Sequence, residues 1–246
     1  MKIEFYSNII GVSDAYPIVP ASEYRPAWMA GVRDDYKQFL KTAVGKQPHI
    51  YQCPGIFDLV KTGFVVPMWH DVVIQAEGID SFRWTVPTAE FIDVAHNAGS
   101  DPISSQKTGV GTLMPVKPGV HKALLKINTP WRIVAPKGIK FIMIPYPYPD
   151  TFEFESSIGI WEPGVSNELN VQAYWNAQVG QPVTIKAGTP IAQLIPITEK
   201  QYDYEVRDAT NHDYNWNRKL MYMGISTFKA NRAKIKQMYY KHFGSK

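Results

Sequence analysis

Apolar residues fall in two distinct rhythms along this chain. Across residues 26–42, Trp28, Met29, Val32, Tyr36, Phe39 and Leu40 recur at three- and four-residue spacing, which predicts an amphipathic helix with Ser22 and Pro26 as start signals. The stretch CPGIFDLVKTG, residues 53–63, fits one short helical turn closed by Gly63. Beyond Gly63 the rhythm shortens to β-rich runs broken by Gly and Pro. FVVPMWHDVVIQA (64–76), FRWTVP (82–87), HKALLKIN (121–128), WRIVAP (131–136), IKFIMIPY (139–146), LNVQAYWNA (169–177), PVTIKAG (182–188) and PIAQLIPI (190–197) all read as strands, and MKIEFYSN at the start reads as another. Internal prolines such as Pro67 and Pro145 mark edges, bulges or strand ends. No helical pattern separates these runs, so the chain is expected to be mainly β, an antiparallel sandwich or barrel rather than a parallel sheet with crossover helices.

Two segments depart from that texture. Residues 96–119, HNAGSDPISSQKTGVGTLMPVKPG, form the longest stretch of low hydrophobicity and read as a loop at which the β-rich part could subdivide. After Thr198 the alternation fades into a helical pattern in which Phe228, Ile235, Met238 and Tyr239 form an apolar stripe among lysines. The expected organisation is therefore a β-rich domain over 1–200 with an N-terminal helix, followed by a basic helical tail over 201–246.

Charge sharpens that division. The net charge is +4, yet residues 214–246 hold eight Lys or Arg and no Asp or Glu, so residues 1–213 are mildly acidic. Such a tail can cover the body, bind an acidic protein surface, or bind nucleic acid through Arg218, Lys219, Lys229, Arg232, Lys234 and Lys236. With 246 residues and 45% hydrophobic composition the chain can bury a substantial core. It contains no run of about 18 apolar residues and no signal-peptide pattern, so no membrane association is expected.

Catalytic and metal chemistry find little support. The one cysteine, Cys53, can form neither an intramolecular disulfide nor a thiolate metal cluster. The histidines at 49, 70, 96, 121, 212 and 242 show no metal-binding spacing, and adjacent His70 and Asp71 on a strand would face opposite ways. QKTGVGTL lacks the phosphate-loop pattern, and no nucleophile-elbow motif occurs. The densest acidic group is Asp150, Glu153 and Glu155 followed by Glu162 and Glu168. Glu153 and Glu155 are expected on one strand face, where they could bind a cation or simply be solvated. No catalytic residue, metal site or cofactor is assigned from these patterns.

Residues 158–197, IGIWEPGVSNELNVQAYWNAQVGQPVTIKAGTPIAQLIPI, resemble the second half of the dUTP pyrophosphatase and dCTP deaminase β-fold. Gly159, Ile160 and Trp161 match the start of a family motif. Glu162 stands where that family has its water-activating aspartate, Glu168 where a second acid follows, and Asn176 at a strand end. Gly188, Ile191, Ala192, Gln193 and Leu194 match the closing turn and strand. The resemblance implies the fold, a trimer, and a ligand pocket near Glu162, Glu168 and Gln193. The chain departs from the family at Val165, Ser166, Thr189 and Pro190, where a tyrosine, two arginines and an acid would be needed, and lacks both the arginine-serine pair and the glycine-rich arginine arm. CPGIFDLVKTGFVVPMWHDVVI, NTPWRIVAPKG and the terminal IKAGTPIAQLIPI block, in that order, also resemble an uncharacterised family of tailed-bacteriophage proteins.

The expected role is consequently non-enzymatic: an assembly or binding protein, a phage virion component acting as a homo-oligomer with other virion proteins, located in the virion or host cytoplasm. The competing expectation is a dUTP pyrophosphatase-like nucleotide-binding or nucleotide-hydrolysing protein.

Overall fold

A computed structural model describes residues 1–43, 45, 48–78, 81–87, 101–106, 121, 124–150, 152–223 and 228–244, with the side chains at 105–106, 220–223 and 228–230 excepted. In chain order the elements are β1 (Lys2–Ser7), α1 (Val12–Ala15), β2 (Val19–Pro20), α2 (Ala27–Thr42), α3 (Pro54–Lys61), β3 (Phe64–Pro67), β4 (Val72–Ala76), β5 (Phe82–Thr85), β6 (Ile103–Gln106) and β7 (Leu124–Val134). They continue with β8 (Lys140–Ile144), β9 (Phe154–Ser156), β10 (Gly159–Trp161), β11 (Glu168–Trp175), β12 (Pro182–Ile185), β13 (Pro190–Ile197), β14 (Asp203–Asp208), α4 (Asn211–Met223) and α5 (Phe228–Phe243). Strand outweighs helix, 36% to 27%, and no sheet closes into a barrel among the described residues.

The strands form three sheets. The first runs β14-β1-β7-β11-β9 with β6 also on β7, the second β10-β8-β13-β3-β2, and the third β12-β4-β5. Pairing is antiparallel throughout except that β14 lies parallel to β1, from Lys2 opposite Asp203 to Ser7 opposite Asp208. One core joins the sheets: Ile3, Phe5, Ile127, Ile133 and Val171 of the first meet Phe64, Phe141 and Leu194 of the second and Val72 and Ile74 of the third. Phe5 and Phe64 touch edge to face across the first two sheets, with ring centroids 4.8 Å apart.

Local sequence explains several of these elements. Gly63 ends α3 at φ 77°, and a Cβ there would sit 2.1 Å from the Leu194 carbonyl oxygen, so no other residue fits this crossing of β13. The runs 121–128 and 131–136 are expected as two strands but form one, β7. The ladder skips Thr129 and Pro130. On one edge of β7 the partner changes there, from β6 at Leu124–Ile127 to β1 at Trp131–Val134, and on the other the register with β11 shifts between Glu168 and Asn170, so Pro130 stands where the ladder asks nothing of its nitrogen. Conversely, 64–76 is expected as one strand and forms two, β3 and β4, in different sheets.

The tail also begins later than expected. Residues 203–208 are strand β14 of the main sheet, and α4 starts only at Asn211. There the Asp213 carboxylate reaches back over the first turn and accepts from the Thr210 N–H at 2.8 Å and from the Thr210 hydroxyl at 2.7 Å. Buried Asp213 also pairs with Arg207 of β14 at 2.6 Å, and Arg207 reaches Glu4 of β1 at 2.9 Å, so α4 is tied to the sheet edge. Most of the loop expected over 96–119, His96 included, lies outside the described residues. Within it Ile103–Gln106 is strand β6.

Candidate functional site

The three residues expected to share one pocket are held by three different elements, and Glu162 lines a cleft beside α5. Glu162 follows β10 and accepts from Arg232 at 2.8 Å and from Lys236, both on α5. Burial raises its pKa, but the hydrogen bonds from Lys236 and Arg232 outweigh that and hold the carboxyl below its ordinary value. Glu168, at the start of β11, pairs with the guanidinium of Arg132 directly across the ladder on β7, at 3.0 Å. Gln193 is fully buried, and its amide donates to the carbonyl oxygens of Leu59 and Thr62 at the end of α3. That contact satisfies helix-terminal acceptors and makes Gln193 the tie between β13 and α3.

The tail residues divide as well. Arg232 and Lys236 face Glu162, Lys219 donates to the His242 ring at 3.2 Å, and Arg218 and Lys234 are exposed. The side chain of Lys229 lies outside the described residues. Asp71, weighed in the sequence only beside His70, and Lys186 hold the turn before β13: Asp71 accepts from Lys186 at 2.7 Å and from the Ala187 N–H at 2.8 Å. Lys186 first, then Ala187, holds that carboxyl below its usual range. Among the described residues, no group of three or more His, Cys, Asp or Glu is placed to hold a metal ion. No helix among them is long and apolar enough to cross a membrane.

A cleft of about 300 Å³ opens where the two larger sheets diverge. One wall is the Pro-Tyr-Pro-Tyr-Pro segment 145–149 that leaves β8. The others are Phe152, Phe154, Glu155 and Ser156 of β9 and its approach, Asn176 at the end of β11, and Pro190 and Ile191 at the start of β13. Alternating prolines fix φ and remove N–H donors, so segment 145–149 does not join a ladder and instead bends at Pro147 and Tyr148 to form a rim. Tyr148 takes a left-handed φ of 56°. The Trp28 indole of α2 holds it there, donating to the Tyr148 carbonyl at 3.0 Å with the rings 5.8 Å apart. Tyr24 packs edge-on against Tyr146 at 5.2 Å.

Polarity inside the cleft is sparse and specific. The Tyr146 hydroxyl and the Ser156 Oγ are buried and have no hydrogen-bond partner in the protein. Burial first, then Tyr24 and Asp150, pushes the Tyr146 phenol up, so it remains a neutral donor. The Asn176 amide donates to the Phe152 carbonyl at 3.0 Å, closing the approach to β9. Tyr148 and Phe152 of the lining are 50% and 74% exposed, and Ile158 and Ile160, just before and on strand β10, are 74% and 70% exposed. Gly159 pairs with Met143, two residues before Pro145, which brings Ile158 beside the rim. This combination offers apolar contact area, two buried polar atoms and, from Glu155, one carboxylate. The density of Tyr, Pro and Phe in PYPYPDTFEF was the signal that could have found it.

No protein-family model matches this chain, and no curated protein matches it.

Proposed function

We propose that this chain is a non-enzymatic assembly protein that acts as a homo-oligomer, with the aromatic and proline-rich cleft and its exposed rim as the self-association surface. The observation that carries the reading is the exposure of Tyr148, Phe152, Ile158 and Ile160 within thirteen residues of chain. Clustered apolar exposure of this kind is characteristic of an interface. Strand β10 adds a second feature: it is the last strand of its sheet, and Gly159, Ile160 and Trp161 bear no charge and no proline to discourage pairing. A second copy presenting the same uncharged edge is self-complementary, which is why the occupant is another protomer. The role as a virion component rests on the likeness to tailed-phage proteins, and the dUTP pyrophosphatase-like topology on the motif at 158–197.

The nucleotide-hydrolysing alternative asks Glu162, Glu168 and Gln193 to line one pocket. Their engagement with α5, β7 and α3 respectively speaks for the assembly reading. Light scattering on the purified chain should give an integer multiple of the protomer mass, and Ile158→Asp with Ile160→Asp should reduce it to one protomer with the fold intact. A wild-type monomer at every concentration tested would overturn the proposal, as would an oligomer indifferent to the double substitution. Magnesium-dependent pyrophosphate release from any deoxynucleoside triphosphate would equally overturn it.

A further inference from the structure

A second cleft, of about 790 Å³, lies at the start of β8, whereas the rim just described follows its end, and it has the reverse chemistry. Its walls come from two elements distant in sequence. Lys137, Gly138 and Lys140 stand on the turn from β7 into β8, and Lys236, Gln237, Tyr240 and Lys241 stand on α5, with Glu162 between them. Four ammonium groups thus face one carboxylate, and that carboxylate is already neutralised by Lys236 together with Arg232. Lys137, Lys140 and Lys241 have no ion-pair partner among the described residues. The walls are held at a fixed separation: the Tyr240 hydroxyl takes a hydrogen bond from the Gly138 backbone, and its ring lies so close to Gly164 that an added Cβ would meet the phenol at 2.8 Å. Gly164 is a space requirement here, since its open Cα face is what lets Tyr240 reach across.

We propose that this cleft is a binding site for an oligophosphate, a small ligand carrying two or more linked phosphates. Like charges gathered in one concavity repel, and a polyanion relieves that cost and gains from the focused positive potential. The cations are lysines, compact point charges without the planar fork that clasps one phosphate in fixed geometry. Among the described residues, no helix N-terminus or glycine-rich nest of N–H groups lines the cleft to cradle a single phosphate. Such an arrangement suits a chain of phosphates spread across both walls, with Tyr240 as the floor. The site is separate from the self-association surface and stands without it.

Inorganic tripolyphosphate is the probe. Calorimetric titration at low salt should show it binding at least about tenfold more tightly than orthophosphate, weakening as salt rises. The double variant Lys137→Glu, Lys241→Glu should lose at least about tenfold of that affinity, while Lys200→Glu, an exposed lysine outside the cleft, should lose almost none. Both cleft positions are exposed, so the variant is expected to unfold at the wild-type temperature. Lys137→Gln with Lys241→Gln provides the same test without charge reversal. Equal losses in the cleft and Lys200 variants would overturn the proposal, because binding would then be diffuse attraction. Binding of a single-stranded oligonucleotide with none of tripolyphosphate would also overturn it in favour of a nucleic-acid surface.

Discussion

Helices α2 and α5 are each sixteen residues long, and they are held to the body in opposite ways. The apolar positions of α2 recur more regularly, yet no residue of α2 is fully buried, and Leu40 is 61% exposed. It is retained by rim contacts: the Trp28 indole on Tyr148, Tyr36 stacked on Tyr51 with centroids 5.1 Å apart, and His49 paired with Asp35 at 2.9 Å. Helix α5 is richer in lysine but buries Ile235 and Tyr239. Periodicity therefore makes a helix, while burial depends on whether the body has unmet needs at that place. At the end of β7 it does. The ladder to β1 stops at Val134, and the Tyr239 hydroxyl accepts from the Ala135 N–H at 3.0 Å while donating to the Ile133 carbonyl at 3.2 Å.

The largest test of that contrast is a pair of truncations. Tyr239→Ala removes a fully buried aromatic ring and strands two backbone groups, and is expected to cost about 3–5 kcal/mol of unfolding free energy. Tyr239→Phe, which keeps the ring, should cost about 1–2 kcal/mol. Leu40→Ala on α2 should stay within about 0.5 kcal/mol. Urea titrations of the three variants at protomer concentrations below self-association give the comparison directly, and equal costs for Leu40 and Tyr239 would show that α2 is anchored as firmly as α5.

Of this contrast, the sequence disclosed the helices and not their fates. Residues 26–42 were readable because the three- and four-residue spacing is a property of α2 alone, and the Gly63 stop because the left-handed turn is local. Strand β14 left no trace, since DYEVRD is a polar strand that pairs with β1, two hundred residues earlier, at the edge of its sheet among the described residues. The 158–197 motif drew attention to Glu162 and Gln193, but their partners lie on α5 and α3, at separations of 70 and more than 130 residues. Which acid is bridged and which amide caps a helix is settled by packing between distant elements. The cleft was hidden for the same reason: Pro145–Pro149, Ser156, Asn176 and Pro190 converge from four stretches of chain, and only the first advertises itself by composition.

A smaller effect is expected where α5 meets Glu162. Its carboxylate, 10% exposed, is bridged by the more exposed Arg232 and by Lys236, so Glu162→Gln should cost about 1–3 kcal/mol, between a surface pair and a buried one. The folded-state pKa is lowered, so the stabilisation is fully present above the ordinary carboxyl value of 4.5 and is lost as pH falls through the folded value. Unfolding free energies of wild type and Glu162→Gln should therefore differ at neutral pH and converge in acid. A constant difference down to pH of about 3 would place the cost in packing instead of charge.

The smallest expected effect lies where α4 and α5 clasp one another. His212 and His242 stack with centroids 3.9 Å apart and planes 9° from parallel, each donating from Nε2 to the other's carbonyl, at 3.0 and 2.9 Å. Carbonyls only accept, so both rings carry a proton on Nε2, and His242 Nδ1 is left to accept from Lys219 at 3.2 Å. Protonating that nitrogen would set two donors against each other and an imidazolium against its stacked neighbour. Burial foremost, with the charges of His212 and Lys219, lowers the His242 pKa below 6.5, and the His212 carbonyl and Asp213 oppose this without reversing it. The clasp therefore contributes its full stability above pH 6.5 and loses it as pH falls through the lowered value. Trp216, fully buried and 5.5 Å from the His242 ring, offers the readout. Between pH 8 and 5, wild-type unfolding free energy should decline while His242→Gln stays flatter, and the wild-type fluorescence change over that range should vanish in Trp216→Phe. A slope unaltered by His242→Gln would mean that α5 is held by Tyr239 and Glu162 alone and that the stacked histidines are bystanders to its docking.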